Sequence, residues 1–125
     1  MTREIERWPG SAPGRSRAVA FGDLVWAVAD APGHGGIAEQ TRECLRRLDR
    51  HLAEAGSDRS RLLSVQIFLA DIGQKAAMND GWTEWIGSDP AHWPQRSCLG
   101  AELEDDALIE IVAIAARGRG ESPTG

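Results

Sequence analysis

The chain has 125 residues, of which 42% are apolar and 26% charged, and its formal net charge is −5. That length fits one compact domain with a modest core and leaves no room for a second. The acidic balance withholds the positive field on which non-specific nucleic-acid binding depends, and no apolar run approaches the roughly 18–20 residues that span a bilayer.

The N-terminal MTREIERWPG lacks the apolar core of a secretion signal, so a cytoplasmic location is expected, with Cys44 and Cys98 as free thiols. Residues 18–21 and 24–30 are short apolar runs joined by Gly22-Asp23, a two-residue hairpin turn with glycine first. Both read as strands. The stretch 30–36, Asp-Ala-Pro-Gly-His-Gly-Gly, breaks the pattern and reads as a loop. Ile37, Thr41, Cys44, Leu45, Leu48, Leu52 and Ala55 then recur at three- and four-residue steps, one apolar stripe of a helix that Gly56 ends.

Leu63, Val65, Ile67 and Leu69 alternate with Ser64, Gln66 and Phe68, which is the period of a strand, and Asp71-Ile72-Gly73 closes it. A second helix is expected over 75–86 with Ala77, Met78, Trp82, Trp85 and Ile86 as its apolar positions. Gly81 inside it costs up to about 1 kcal/mol relative to alanine. Two last strands, 95–103 and 108–116, flank the acidic turn Glu104-Asp105-Asp106, and residues 118–125 read as a disordered tail after a single domain over 1–117. The order of strands and helices is that of an α+β domain with a mixed sheet and both helices on one face.

In the last strand Leu108, Val112 and Ile114 share one face while Ile109, Ile111, Ala113 and Ala115 share the other, so both faces are apolar. Two helices cover only one, and self-association through the bare face completes the fold most simply. Glu110 lies on the face of Val112 and Ile114, where an ionised carboxylate is costly unless it is paired, hydrogen-bonded or wetted by a cleft. Arg96 shares a strand face with Cys98 and Gly100. If the last two strands form a hairpin about Asp105, Glu110 faces Gly100 and stands roughly 13 Å along the strand from Arg96. Two readings stay open: a plain interface or surface charge pair, and an arginine offering its planar fork to a small carboxylate in a wet cleft.

The segments Pro94-Gln95-Arg96-Ser97-Cys98 and Ile109-Glu110-Ile111-Val112-Ala113-Ile114-Ala115 resemble the C-terminal signature of the Rid (YjgF-like) reactive-intermediate deaminases. Gln40-Thr41-Arg42, Leu52-Ala53-Glu54-Ala55-Gly56-Ser57, the run from Val65 to Ile72, and Ala76-Ala77-Met78-Asn79 extend the resemblance to roughly residues 15–117, and the Trp82 and Trp85 spacing is similar to an atypical subgroup. The resemblance implies a chorismate-mutase-like fold with a six-stranded mixed sheet, a homotrimer around a central barrel, and clefts between subunits. It implies hydrolysis of an enamine or imine to a carbonyl compound and ammonia, without metal or cofactor. Residue by residue, Arg96 matches the arginine that holds a substrate carboxylate, Glu110 the glutamate beside the attacking water, Cys98 a backbone contact to ligand, and Asn79 an asparagine near the cleft.

Two positions depart from the pattern. Val28-Ala29-Asp30 stands where the family carries a Ser-Gly-Gln-like turn, and Arg15-Ser16 where an aromatic forms the N-terminal cleft wall. The resemblance thereby brings Arg15, Ala29 and Asp30 to the substrate. A carboxylate at Asp30 pairs with Arg15 or Arg96, or repels an anionic substrate, which turns preference toward neutral, cationic or bulkier aromatic imines. His34, His51 and His92 lack ligand-like spacing, so they are expected on the surface or in loops and no metal is expected. Trp26, Trp82 and Trp85 are expected in core or interface, and Trp93 at a cleft mouth. The alternatives to a deaminase are a non-catalytic trimeric binding or regulatory module in which Arg96 holds small carboxylates, and a specialised tautomerase or hydratase at the same site. Neither a nucleic-acid nor a membrane partner is expected.

Overall fold

The structure, a computed structural model, describes residues 4–118. Most of the tail expected to be disordered lies outside the described residues. Six strands, β1 (Glu6–Pro9), β2 (Ser16–Phe21), β3 (Leu24–Asp30), β4 (Leu62–Leu69), β5 (Gln95–Gly100) and β6 (Ile109–Ala116), form one sheet in the order β1-β2-β3-β6-β4-β5. Helices α1 (Ile37–Glu54) and α2 (Lys75–Ile86) connect β3 to β4 and β4 to β5. Only β4 and β5 pair in parallel, because the α2 crossover returns the chain to the same end of the sheet. No helix among the described residues is long and apolar enough to cross a membrane.

The glycine-first hairpin is present: Phe21 faces Leu24, and Gly22 takes φ +61°, the left-handed value such a turn requires of its first residue. Along α1 the expected stripe is buried, with Leu45, Leu48 and Leu52 each contributing roughly 1.5–3 kcal/mol of burial. Under them lie Ala18, Ala20, Ala27 and Ala29, whose small side chains let the helix approach the sheet closely. Met78, Trp82 and Ile86 are the buried positions of α2. Gly81 sits where the two helices meet: a Cβ there would lie 2.8 Å from Thr41 Cγ2.

The alternation of β6 appears as expected, with Ile109, Ile111, Ala113 and Ala115 at 0–1% exposure beneath the helices. Glu110, Val112 and Ile114 point to the face without helices, where Trp26, Leu24 and Phe21 remain more than a third exposed.

Three expectations are corrected. Strand β1 escaped residue-level reading because its four residues carry no alternation and end in Pro9; pairing with β2 alone makes it a strand. Strand β5 stops at Gly100 rather than at residue 103. It also forms no hairpin with β6, since β4 lies between them. The connection over residues 101–108 is therefore a loop across the end of β4, anchored at Ala101, whose N–H donates to Leu69 O (3.0 Å). The buried Gln40 side chain ties that loop to α1, donating to Asp106 O (3.0 Å) and accepting from Leu108 N–H (2.8 Å).

Candidate functional site

Strand β2 follows β3 only as far as Ala18 opposite Ala27, so residues 28–30 have a strand partner, β6, on one side alone. Side chains of α1 reach the carbonyls of this stretch. His51 Nδ1 lies 3.1 Å from Val28 O and must carry the proton. Arg47 Nη1 donates to Asp30 O (2.9 Å), and Cys44 Sγ donates to Ala29 O (3.2 Å). His51 is thus a half-buried helix residue, not a surface or loop histidine, and burial holds its imidazole below its ordinary pKa. The same burial pushes the Cys44 thiol far above its ordinary value.

Where β2 parts from β3, an open cleft of ≈ 970 Å³ forms between the β3 edge, the segment before β2, α1 and the 101–108 loop. Arg15, Ala29, Asp30 and Glu110 all line it. Ala29 contributes backbone only, since its side chain is buried beneath α1. The central feature is the register of β3 and β6, which sets Asp30 directly opposite Glu110 on the face without helices. Carboxylates in such a cross-strand pair lie with Cβ atoms roughly 4.5–5.5 Å apart.

Glu110 is half-buried, and among the described residues no hydrogen bond or ion pair engages its carboxyl. Burial first, and then the Asp30 carboxylate, raise its pKa above 4.5, with Glu104 acting in the same direction and Arg15 against it. The cation beside Asp30 is Arg47, at 4.0 Å from Oδ1, rather than Arg15 or Arg96. Arg47 is shared with Glu43, whose Oε2 lies 3.0 Å from its Nε. Sequence reasoning passed over Arg47; its signal was the four-residue step from Glu43 on the flank of α1, a spacing that brings opposite charges together on a helix surface.

Arg96, Cys98 and Asn79 lie elsewhere. In the parallel register Arg96 neighbours Val65 and Cys98 neighbours Ile67, both buried beneath the helices. Arg96 and Glu110 thus occupy opposite faces of the sheet, and one chain does not bring them together. The Arg96 guanidinium stacks over Trp82, with Cζ 5.4 Å from the ring centroid, and no hydrogen bond or ion pair among the described residues uses its donors. Asn79 stands one turn before Trp82 on α2, its buried Oδ1 without a hydrogen-bond partner. Trp93 is 54% exposed and donates from Nε1 to Gly87 O (3.0 Å), outside the cleft at β3. Trp85 packs against Trp82 and donates to Asp49 Oδ2 (3.0 Å), while Arg59 lies over its ring.

The model of the family described as Endoribonuclease L-PSP matches residues 16–117. A RutC family protein of Haemophilus influenzae is 44% identical over 78 residues, which cover 62% of this chain and 66% of that protein, so the match spans slightly less than two thirds of its length. A solved member of the YjgF protein family from Neisseria meningitidis has the same fold, with a TM-score of 0.84 at 33% identity over 92% of this chain and 96% of that one. An uncharacterized protein from Pseudomonas aeruginosa agrees equally well, with a TM-score of 0.82 at 35% identity over 91% and 99% of the two chains. The family match from β2 through β6, with both helices, and the shared α+β architecture lead to one conclusion: the chain belongs to the Rid (YjgF-like) family.

Proposed function

We propose that the chain is a hydrolytic deaminase of small enamines or imines, acting in clefts between the subunits of a homotrimer. The observation that carries this reading is Glu110, a half-buried carboxyl without a hydrogen-bond partner among the described residues, facing an open cleft. A carboxylate so placed orients a water molecule and accepts its proton as the water attacks the carbon of a C=N bond. Arg96 supplies the second element. Its guanidinium is held by a ring face while its donors remain unspent, which suits a bidentate grip on a substrate carboxylate.

Arg96 of one protomer then serves the cleft that holds Glu110 of the next, a pairing that their opposite positions on the sheet of one chain support. The uncovered apolar face around Trp26, Val112 and Ile114 supports the same assembly, because monomeric proteins rarely expose a contiguous apolar patch. Asn79 and the Cys98 backbone border the Arg96 side of the composite site, and Trp93 its mouth. Neither metal nor cofactor takes part in the reaction as written. Two free cysteines support a reducing, cytoplasmic setting. The ribonuclease description attached to the family model draws no support from this cleft, whose lining sets six carboxylates against four arginines.

The test is ammonia release from a panel of freshly generated imines by wild type, Arg96→Ala and Glu110→Gln. Wild type is expected to turn over at least one class. Arg96→Ala is expected to weaken carboxylate binding by about tenfold or more, the equivalent of a lost charge-assisted contact of roughly 1.5–3 kcal/mol. A folded wild type that releases ammonia from no imine refutes the reading.

A further inference from the structure

We propose that Asp30 and Glu110 work as one proton-sharing couple, Asp30 being a second acid-base group of the reaction, and that the couple selects a substrate that becomes cationic in the cleft. This rests on the hydrolase reading of the preceding section and adds to it a residue and a substrate class. The argument starts from geometry. The two carboxyls face each other across adjacent antiparallel strands, on one face, and line the same cleft. Two carboxylates set opposite each other resist simultaneous ionisation, so the proposed working state of the couple is one proton and one negative charge.

The surroundings do not dissolve the couple. The charged groups facing it are Arg15 from the segment before β2, Arg47 and Glu43 from α1, and Glu104 from the 101–108 loop, with the Cys44 thiol beneath the sheet. Arg47 stands nearest Asp30 but is closer to Glu43. From β4 the residue in register with Glu110 is Phe68, which carries no charge and limits hydration of the carboxyl.

A couple with one proton does what a single carboxylate cannot: it gives a proton and takes one in the same site. The protonated carboxyl donates to the imine nitrogen and forms an iminium ion, which leaves both carboxyls ionised. Water then adds to the iminium carbon and yields a proton to the couple, giving a neutral carbinolamine and restoring the starting state. A second proton transfer to the amine nitrogen is followed by cleavage of the C–N bond, with the electron pair leaving on ammonia while the hydroxyl proton returns to the couple. The sum is C=NH plus H2O to C=O plus NH3, with no net change in the couple. In each half the doubly ionised couple coincides with a cationic substrate, so the electrostatic stabilisation falls on the charged intermediates rather than on the neutral imine. The substrate class that fits is an imine basic enough to protonate, with any carboxylate far enough from the C=N group to reach Arg96 and stay clear of Asp30.

The experiment follows the Glu110 side chain directly. In the assembled protein labelled with 13C at glutamate Cδ, the Glu110 resonance is assigned by its loss in Glu110→Gln, and its titration is compared between wild type and Asp30→Asn. Asp30 is half exposed, so this substitution leaves the fold intact. The Glu110 midpoint is expected to move down in Asp30→Asn, and the pH profile of kcat is expected to change from a bell to a single limb. A midpoint that stays in place overturns the couple, whatever the activity. A midpoint that moves in a protein whose wild type releases no ammonia from any imine overturns the catalytic role and the hydrolase reading, while leaving the shared proton itself in place.

Discussion

Replacing Gly81 by alanine sets two known effects against each other at the crossing of α1 and α2. Within an isolated helix the change is favourable by up to about 1 kcal/mol, because glycine sacrifices more backbone freedom than alanine on folding. In this protein the new methyl would lie 2.8 Å from Thr41 Cγ2, well inside contact distance, and Thr41 is fully buried on the apolar side of α1. A β-branched side chain on a helix has little rotamer freedom with which to yield, so the helices must separate or the side chain must leave its well, at a cost of roughly 1–3 kcal/mol. The net expectation is destabilisation by about 1 kcal/mol, or about 4 °C in Tm for a domain of this size. Thermal unfolding followed by circular dichroism measures it. Because Thr41→Ser removes the opposing methyl, Gly81→Ala added to that background should stabilise instead, giving a positive coupling in the double-mutant cycle. Gly81→Ala raising Tm in the presence of Thr41 would refute the close approach.

Three further outcomes are expected. Trp26→Glu puts a charge at the centre of the uncovered sheet face and should break the proposed trimer, three times 13.5 kDa in light scattering, into single copies; a variant that assembles as wild type does would exclude that face as the interface. Trp82→Leu removes the ring beneath Arg96 and should weaken carboxylate binding by about 2- to 30-fold, the worth of a cation–π contact of roughly 0.5–2 kcal/mol, whereas Trp82→Phe should retain most of the affinity in calorimetric titration. Glu110→Gln should stabilise the protein against urea at neutral pH. The folded-state pKa of Glu110 is raised, so the native state binds more protons than the unfolded one between pH 4.5 and that raised value, and wild-type stability falls as pH rises through this window. The advantage of the glutamine variant should therefore be full above the window and absent below pH 4.5; a gain independent of pH would show that Glu110 carries no burial cost.

What the sequence determined by itself was local periodicity and the composition of faces. The stripe from Ile37 to Leu52, the alternation in β4 and β6, the glycine-first turn at Gly22 and the apolar character of both β6 faces follow from spacing alone, since helices and strands repeat at 3.6 and 2 residues whatever they pack against. Alternation likewise placed Glu110 among apolar neighbours and marked its charge as needing an explanation.

Tertiary structure decided which strands are neighbours. A hairpin between β5 and β6 is the economical guess for two strands separated by a short acidic stretch, but β5 arrives by a crossover and β6 inserts between β3 and β4. That insertion makes Asp30, eighty residues away in the chain, the partner of Glu110 in place of Gly100. It also sets Arg96 on the opposite face, over Trp82. Arg47 meets the β3 edge where β2 leaves it unpaired past Ala27, a fact of strand pairing that no local pattern encodes. Strand pairing joins residues through backbone hydrogen bonds that are the same for every side chain, so a sequence can specify which residues face a common side long before it reveals which of them meet.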